Sequence, residues 1–350
     1  MPVTDAVVIG SGPNGLVAAN LLADRGWEVT VLEAQNAPGG AVRSDSELHP
    51  GFVHDTFSSF YPLAAVSPTI RGLHLEGFGL HWEYAPAVAG TPFLSGEWAL
   101  MHRTPEATAE ALDAMAPGDG AAWLELCAGW QRIGDAVLRG ILEPFPPVRA
   151  GLRIASRLPR AGGLGFVQMM LSPLQSMAGQ RFDGRAAQLL LAGNAAHADI
   201  PVDAIGSTTM AWVLAMVGQH LGYPVPRGGA GELTRALVER LTSRDGQLAL
   251  GARAASVVVR SGRAVAVQVE GGDEVQARRA VLADVSAPSL YGGLVAPEDL
   301  PSRLLRRMER FEWDPGTVKV DWALSGPVPW ASTPTAAPGT IHVAESIDEI

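Results

Sequence analysis

The sequence contains a single cysteine, Cys127, among its 350 residues. One cysteine excludes an internal disulfide and is typical of proteins from reducing compartments. The eight histidines are scattered, without a cysteine pair or a His-Glu-x-x-His motif, so no metal site is predicted. Cys127 lies in a helical pattern, where we expect a small apolar side chain rather than a nucleophile.

Basic residues are also scarce, since 26 lysines and arginines face 36 acids and leave a net charge of −10. A protein that binds nucleic acid needs a clustered basic face to meet the phosphates. Nucleic acid is therefore not a predicted partner. The sequence also lacks the Gly-x-Ser-x-Gly elbow of serine hydrolases.

Long apolar runs are missing as well. The longest stretch without a charged residue, 204–226, contains serine, threonine, glutamine and histidine, and is too polar for a lipid-facing span. The first five residues carry no basic region of a secretion signal. These absences favour a cytoplasmic protein, and its 350 residues correspond to roughly two domains.

The strongest positive signal lies near the amino terminus. An apolar run, residues 6–9, leads into Gly10-Ser11-Gly12-Pro13-Asn14-Gly15, and an apolar-faced helix follows. Four apolar residues in a row are typical of a parallel strand that is buried on both faces. The glycines permit a sharp turn, a close approach of a diphosphate to the backbone, and tight helix packing. The diphosphate then lies at the positive end of the helix.

A second strand, residues 29–32, ends at Glu33, which lies 18 residues beyond Gly15. A carboxylate at this place accepts hydrogen bonds from the ribose hydroxyls of an adenosine. It also repels a 2′-phosphate, which disfavours the phosphorylated nicotinamide cofactor. Strand, glycines, helix, strand and acid in this order predict a dinucleotide site.

A second glycine motif, Pro38-Gly39-Gly40 with Arg43, follows soon after. With Glu33 it resembles the motif of flavoproteins related to glutathione reductase and amine oxidases. Residues 39–44 with 50–55, and the segments 192–201 and 224–229, resemble the phytoene desaturase-like FAD oxidoreductases, in the branch called pyridine nucleotide-disulphide oxidoreductase domain-containing. Relatives continue past this length to a glycine-rich closing segment, so we expect the chain to lack the C-terminal part of the family fold.

The resemblance implies an α/β fold with a Rossmann-like FAD-binding domain and an inserted α+β substrate domain. We expect a discontinuous FAD-binding domain of residues 1–85 and 225–300, and a substrate domain of residues 86–224 and 301–350. The strand before the hairpin at 261–262 is expected to pass the adenine with its backbone. The expected cofactor-binding residues are Gly10, Gly12, Pro13, Asn14, Gly15, Glu33, Ala34, Gly39, Gly40, Arg43 and Ala254.

Residues 186–198 and 205–217 are predicted to form apolar helices, and 275–278, 279–283 and 317–324 are predicted to form strands.

The rest of the chain gives weaker signals. His197 and His220 lie in apolar surroundings and are predicted to be interior, and His197 is the candidate for a proton-transfer step. Arg149, Arg153 and Arg157 form a basic stripe on a helix, which is either a solvated face or a contact with an anionic membrane surface. The five methionines at 169, 170, 177, 210 and 216 either fill the core or line an apolar pocket.

The favoured function is an FAD-dependent oxidoreductase of the desaturase or oxidase type, in which a hydride passes from a C–H bond of a small apolar substrate to the flavin. Two alternatives stay open at this point. One is a nicotinamide-dependent dehydrogenase that uses the loop at 10–15. The other is a non-catalytic protein that keeps this fold and binds a lipid or a partner, as prenyl-protein carriers of similar architecture do.

Overall fold

The computed structural model describes residues 3–198, 200–314 and 316–350. Asp199, within one of the segments that carry the family resemblance, lies outside the described residues. The strands, in chain order, are β1 Val3–Ile9, β2 Val29–Leu32, β3 Ser44–Asp45, β4 His54–Asp55, β5 Trp82–Glu83, β6 Ala87–Pro92, β7 Trp98–His102, β8 Val225–Pro226, β9 Gln247–Ala249, β10 Ala254–Arg260, β11 Arg263–Val269, β12 Glu274–Ala283 and β13 Pro338–Ile341.

The described chain also contains thirteen α-helices. In chain order they are α1 Pro13–Ala23, α2 Pro62–Val66, α3 Pro68–Gly72, α4 Pro105–Met115, α5 Asp119–Leu142, α6 Val148–Ala161, α7 Leu164–Leu171, α8 Leu174–Arg181, α9 Arg185–Ala196, α10 Ser207–Leu221, α11 Gly231–Thr242, α12 Ala287–Ser289 and α13 Ser302–Met308.

The chain divides into two compact units. The first contains residues 1–60, 68–83 and 225–323, and the second contains 61–67, 84–224 and 324–350. The sequence predicts that residues 301–323 belong to the substrate domain, whereas in the structure they group with the first unit, in which α13 contacts the turn Leu290–Leu294.

A six-stranded sheet in the order β10-β11-β12-β1-β2-β9 forms the centre of the first unit. β1 lies between β12 and β2 and is parallel to both. Ala6, Val7 and Val8 are fully buried, which confirms the doubly covered strand predicted from the apolar run. Because the chain leaves β1 toward β2 on one side and meets β12 on the other, the carboxyl end of β1 is a topological switch point, where α/β folds bind ligands.

β12 is a single ten-residue strand. The sequence predicts two strands here, one at 275–278 and a buried parallel one at 279–283. The structure corrects this, since Arg278 pairs with Asp5 and Glu28 at the sheet surface and the strand continues through both arginines. β12 pairs antiparallel with β11 at residues 274–276 and parallel with β1 from Gln276 to Ala283.

α1 and α11 pack together in the first unit through a buried arginine. The guanidinium of Arg240 contacts both carboxylate oxygens of Asp24, at 3.0 and 2.9 Å, and also the side chain of Asn20 and the carbonyl of Leu73. A bidentate, charge-assisted pair of this kind fixes orientation as well as distance. It holds α11 against the helix that begins at the glycine loop.

The second unit is mainly helical, with a three-stranded sheet in the order β13-β6-β7. α9 and α10, which the sequence predicted as apolar helices, pack against each other, and Leu190, Trp212 and Met216 are fully buried. Sheet and helices together agree with the predicted α+β character of the inserted part.

One predicted strand is absent. Residues 317–324 alternate apolar and polar side chains, which predicts a strand, but the structure assigns them no strand partner within the described residues. Val318 and Trp322 are exposed. Alternation shows that a segment can form a strand, whereas a strand exists only when a neighbour supplies the hydrogen bonds.

Candidate functional site

The glycine loop begins where β1 ends. Gly10 has a φ of +93°, a conformation that glycine adopts without strain, and its N–H donates to the carbonyl of Leu32 at 2.8 Å. A Cβ at Gly10 would lie 2.5 Å from the carbonyl oxygen of Asp284, the residue that follows β12. The turn therefore requires glycine, as the sequence predicted.

Bare backbone and free N–H groups characterise the loop. Gly40 approaches Gly12 so closely that a Cβ on Gly40 would lie 3.1 Å from the Cα of Gly12. The N–H of Gly39 donates to the carbonyl of Ser11 at 2.9 Å, which joins the two glycine motifs. Within the part of the chain that the structure describes, the N–H groups of Gly12, Asn14 and Gly40 donate to no protein acceptor.

Glu33 is buried at the end of β2. Its Oε2 accepts hydrogen bonds from the Ser11 N–H at 2.9 Å and the Ser11 hydroxyl at 2.6 Å, and its Oε1 accepts from the Gln35 N–H at 2.8 Å. Burial raises the pKa of this carboxyl, but the hydrogen bonds from Ser11, Gln35 and Ala34 outweigh burial and lower the pKa below its usual value. Glu33 is therefore an anionic acceptor at neutral pH.

Asp284 places a carboxylate on the same loop. Its Oδ2 accepts the N–H of Gly15, in the first turn of α1, at 2.8 Å. A Cβ at Gly12 would lie 2.5 Å from this oxygen. Sequence reasoning missed Asp284, although its position directly after a strand that pairs with β1 is a usable signal.

The loop fits the diphosphate of FAD. α1 begins at Pro13, and its N-cap residue Gly12 has no side chain to cap the helix, so N–H groups of the first turn are left for an anion. Gly12 is half-buried, while Asn14 and Gly40 are exposed, so the free N–H groups can be reached from solvent. Asp284 covers the N–H of Gly15 but leaves those of Gly12, Asn14 and Gly40 open.

The other predicted cofactor residues lie in the same unit. Ala34 follows Glu33 and is half-buried. Arg43 lies with its guanidinium 5.9 Å from the ring centroid of Phe57. Ala254 begins β10 opposite Val269, while the backbone contact with Glu33 is made two residues earlier, by the N–H of Ala252 at 2.8 Å.

Two segments that carry the family resemblance meet at the start of α11. Oδ1 of Asp55 accepts from the Ser44 hydroxyl and from the Ala230 N–H, each at 2.7 Å, and the Gly231 N–H donates to the Ser44 hydroxyl at 2.8 Å. These contacts satisfy N–H groups at the helix start. The motifs therefore have a structural role that the sequence alone did not reveal.

His54, on β4, is a further residue that the sequence analysis missed. Its ring is buried, and its Nε2 has no hydrogen-bond partner among the described residues. Its Nδ1 lies 3.9 Å from a carboxylate oxygen of Asp321. A buried polar atom without a partner is unusual in a protein and is the kind of atom that a ligand satisfies.

The prediction of interior histidines is wrong for both residues. His197 is exposed at the end of α9, and His220 is exposed on α10, where its Nδ1 contacts the carbonyl of Met216. Nε2 of His197 lies 3.0 Å from Nε2 of His342. Burial and the proximity of His197 lower the pKa of His342 to about 4. The proton-transfer role of His197 stays a prediction.

The segment 192–201 also has a packing role in its described residues. The Asn194 side chain accepts a hydrogen bond from the Tyr223 hydroxyl and donates to the Leu190 carbonyl at 2.6 Å. Burial raises the pKa of Tyr223, so this hydroxyl stays protonated and remains a donor. The ring of His342 lies directly against the Cα of Gly193, where a larger residue would clash.

An open cleft of about 1050 Å³ lies within the second unit, between α5, α7, α8 and α10. Phe166, Met169, Met177 and Trp212 line it, with Arg132 among the polar residues. Met169 is half-buried and lines the cleft, whereas Met170, Met177 and Met216 are buried core residues. Cys127 is buried, and burial raises its pKa to about 12, so it is not a nucleophile.

Two kinds of feature are absent from the residues that the structure describes. No helix there combines the length and apolar character needed to cross a bilayer. No group of three or more histidine, cysteine, aspartate or glutamate side chains there is arranged to hold a metal ion.

Comparison with known proteins agrees with this geometry. Residues 8–73 match the family described as NAD(P)-binding Rossmann-like domain, and residues 165–328 match the family described as Flavin containing amine oxidoreductase. Putrescine oxidase, in its complex with putrescine, has a TM-score of 0.56 at 20% identity, and the match covers 88% of this chain and 63% of that one. RAB GDI from Plasmodium falciparum has a TM-score of 0.52 at 12% identity, over 82% and 66%.

Two curated relatives extend the comparison. Mouse pyridine nucleotide-disulfide oxidoreductase domain-containing protein 2 is 25% identical over 92% of this chain and 60% of its own length. The phytoene desaturase (neurosporene-forming) of Cereibacter sphaeroides is 25% identical over 90% and 57%. The chain thus spans about 60% of the length of such relatives.

The fold, the glycine loop and the matched family models agree with the predicted Rossmann-like fold of the flavin amine oxidase type, and they indicate FAD as the cofactor, as predicted. Within that class, the similarity to the mouse protein and to the carotenoid desaturases confirms the predicted resemblance to the phytoene desaturase-like branch.

Proposed function

We propose that this chain belongs to an FAD-dependent oxidoreductase that takes a hydride from a C–H bond of an apolar substrate. FAD supplies the hydride acceptor when it is bound. In this proposal the free N–H groups of Gly12, Asn14 and Gly40 bind the diphosphate, and Glu33 accepts from the ribose. The observation that carries the proposal is the loop of bare backbone and free donors at the switch point of the sheet, in a chain that matches a flavin family.

An apolar substrate is supported by the cleft of the second unit. Met169 and the alanines 121, 122 and 128 offer apolar contact area at its wall, and methionine adapts to irregular ligands. We assign this cleft to the substrate, with Met169 contacting its hydrocarbon part and the buried Phe166 and Trp212 supporting the wall from behind.

The simplest test is the colour of the purified protein. We expect a yellow protein that releases FAD on denaturation, or a colourless one that turns yellow on addition of FAD. A protein that stays colourless with FAD but binds NAD would favour the dehydrogenase alternative. One that binds neither cofactor but binds lipid would favour the carrier alternative, for which the fold likeness to RAB GDI is the specific support.

We further propose that the protein is cytoplasmic and binds an anionic membrane surface through α6. Four arginines and no acidic residue lie in this helix. At about 100° per residue, Val148, Leu152 and Pro159 share one sector of its surface. Val148 is 62% and Leu152 68% exposed, so this apolar sector faces away from the unit's core.

The arginines lie beside that apolar sector. Arg149, Arg153 and Arg160 are exposed and occupy the neighbouring sector, whereas Arg157 pairs with Asp135 on α5. Phe145, 93% exposed, precedes the helix, and Leu164, 79% exposed, follows it. An apolar strip flanked by cations is the arrangement of helices that lie in the headgroup region of a bilayer. In water alone, the exposed side chains of Leu152 and Phe145 would bury no apolar surface, whereas contact with a membrane would bury them.

A further inference from the structure

We propose that Asp284 sets the affinity for FAD and holds it below the affinity that a neutral residue at this position would give. The inference rests on the proposed function, because it concerns the loop to which we assign the diphosphate. It assigns to a residue 269 positions away from Gly15 in sequence a direct influence on cofactor retention.

The Asp284 carboxylate is held at the glycine loop. Oδ2 of Asp284 accepts the Gly15 N–H at 2.8 Å and lies over Gly12, where a Cβ would be 2.5 Å away from it. The backbone of Asp284 is fixed as well, since its N–H donates to the Ile9 carbonyl at 2.7 Å. The side chain is therefore held at the loop and is not a freely moving surface group.

The charge of the Asp284 carboxylate affects both the helix and the cofactor. Among the described residues Asp284 has no lysine, arginine or histidine partner, so no cation offsets its carboxylate. The first turn of α1 partly stabilises this charge, because an anion at a helix N-terminus is favourable. A diphosphate at the same N-terminus carries charge of the same sign, and like charges near each other oppose binding.

The Asp284 carboxylate therefore has opposite effects on the protein without FAD and on the protein with FAD bound. Without cofactor, the carboxylate satisfies the Gly15 N–H and stabilises α1. With cofactor, the same carboxylate repels the diphosphate. Removal of the charge alone should therefore lower the stability of the apoprotein and raise its affinity for FAD.

The test uses Asp284→Asn, which keeps an oxygen to accept the Gly15 N–H but removes the charge. Asp273→Asn, at an exposed turn of the same unit, is the matched control. Apoprotein of each form is titrated with FAD by the change in flavin fluorescence, at 20 and 200 mM NaCl, and thermal unfolding of the apoproteins is followed by circular dichroism.

We expect Asp284→Asn to bind FAD about tenfold more tightly than the unaltered chain at 20 mM NaCl, the order expected for one like-charge pair near a protein surface. The difference should shrink at 200 mM because salt screens the repulsion. The Tm of the Asp284→Asn apoprotein should fall, while Asp273→Asn should match the unaltered chain in both measurements.

Equal or weaker FAD binding by a folded Asp284→Asn protein would overturn the inference. If the Asp284→Asn protein does not fold, Asp284→Ser is used instead, because it also removes the charge. We expect Asp284→Ser to bind FAD more tightly than the unaltered chain as well. If the unaltered chain and every variant bind no FAD, the proposed function itself fails. That result is distinct from FAD binding without a change in affinity.

Discussion

Ser11 donates two hydrogen bonds to one carboxylate oxygen of Glu33, from its N–H at 2.9 Å and from its hydroxyl at 2.6 Å. This pair joins the glycine loop after β1 to the end of β2. Glu33 therefore has a structural role in addition to the ribose contact that its position predicts. A substitution of Glu33 affects both roles.

The two tasks of Glu33 can be separated. Glu33→Ala removes both the ribose acceptor and the link to Ser11, whereas Ser11→Ala removes only the hydroxyl bond. We expect Glu33→Ala to weaken FAD binding more than tenfold and Ser11→Ala less than threefold, because Ser11→Ala leaves the ribose acceptor and the Ser11 N–H bond in place. Equilibrium dialysis against FAD measures both. Equal losses would show that the carboxylate acts only through the loop.

The lowered pKa of Glu33 predicts a pH dependence of stability. Because its pKa is lower in the folded than in the unfolded chain, ionised Glu33 contributes stability above its usual pKa of 4.5. That contribution is lost as the pH falls through the folded value. Urea unfolding from pH 7 to pH 3 should show a smaller loss of unfolding free energy in Glu33→Gln than in the unaltered chain. Parallel curves for the two proteins would contradict this.

Gly12→Val should abolish FAD retention while the fold survives. The new side chain would enter the space that we assign to the diphosphate and would displace the Asp284 carboxylate from the Gly15 N–H, at the cost of one hydrogen bond. Gly77→Val is the control, because a Cβ there meets nothing within 4 Å. The ratio of flavin to protein absorbance measures retention. A full flavin complement in Gly12→Val would refute the assigned diphosphate position.

His342 should make the second unit sensitive to mild acid. Its folded pKa of about 4 lies below its usual 6.5, so stability is complete above pH 6.5 and is lost as the pH falls toward 4. The shift corresponds to at most about 3 kcal/mol. Thermal unfolding between pH 7 and pH 4 should show a flatter profile for His342→Gln, while His220→Gln, at an exposed position, should follow the unaltered chain. A His342→Gln profile as steep as that of the unaltered chain would contradict the prediction.

Membrane binding by α6 is tested with vesicles. The protein should sediment with vesicles of 30% phosphatidylserine in phosphatidylcholine, and less with phosphatidylcholine alone. Arg149→Gln with Arg153→Gln should weaken binding at least fivefold, since each basic residue near an anionic surface contributes about 1 kcal/mol. Leu152→Ser should also weaken it.

The matched control for this experiment removes the same charge from α13, as Arg303→Gln with Arg307→Gln, both of which are exposed. If this control loses binding as α6 variants do, the attraction reflects net charge alone. If no variant changes sedimentation, α6 is a solvated face.

The nucleotide loop was predictable because its signals are local. Glycines, the buried strand and Glu33 lie within one short segment, and each has a steric or electrostatic reason. Asp284 was not predictable in this way, since it reaches Gly15 only through the pairing of β12 with β1. The two wrong strand predictions also depend on partners that are distant in sequence. Arg278 pairs with Asp5 within the continuous strand β12, and residues 317–324 have no neighbouring strand among the described residues.

The parallel pairing of β1 with β12 has a consequence for biosynthesis. A chain made from its amino terminus completes the first sixty residues long before Asp284 leaves the ribosome, so the glycine turn must wait for more than two hundred further residues before its neighbouring strand arrives. Until then β1 has an unpaired edge. An unpaired strand edge of this kind can pair with another chain, so we expect the glycine turn to reach its final form only after β12 has been made.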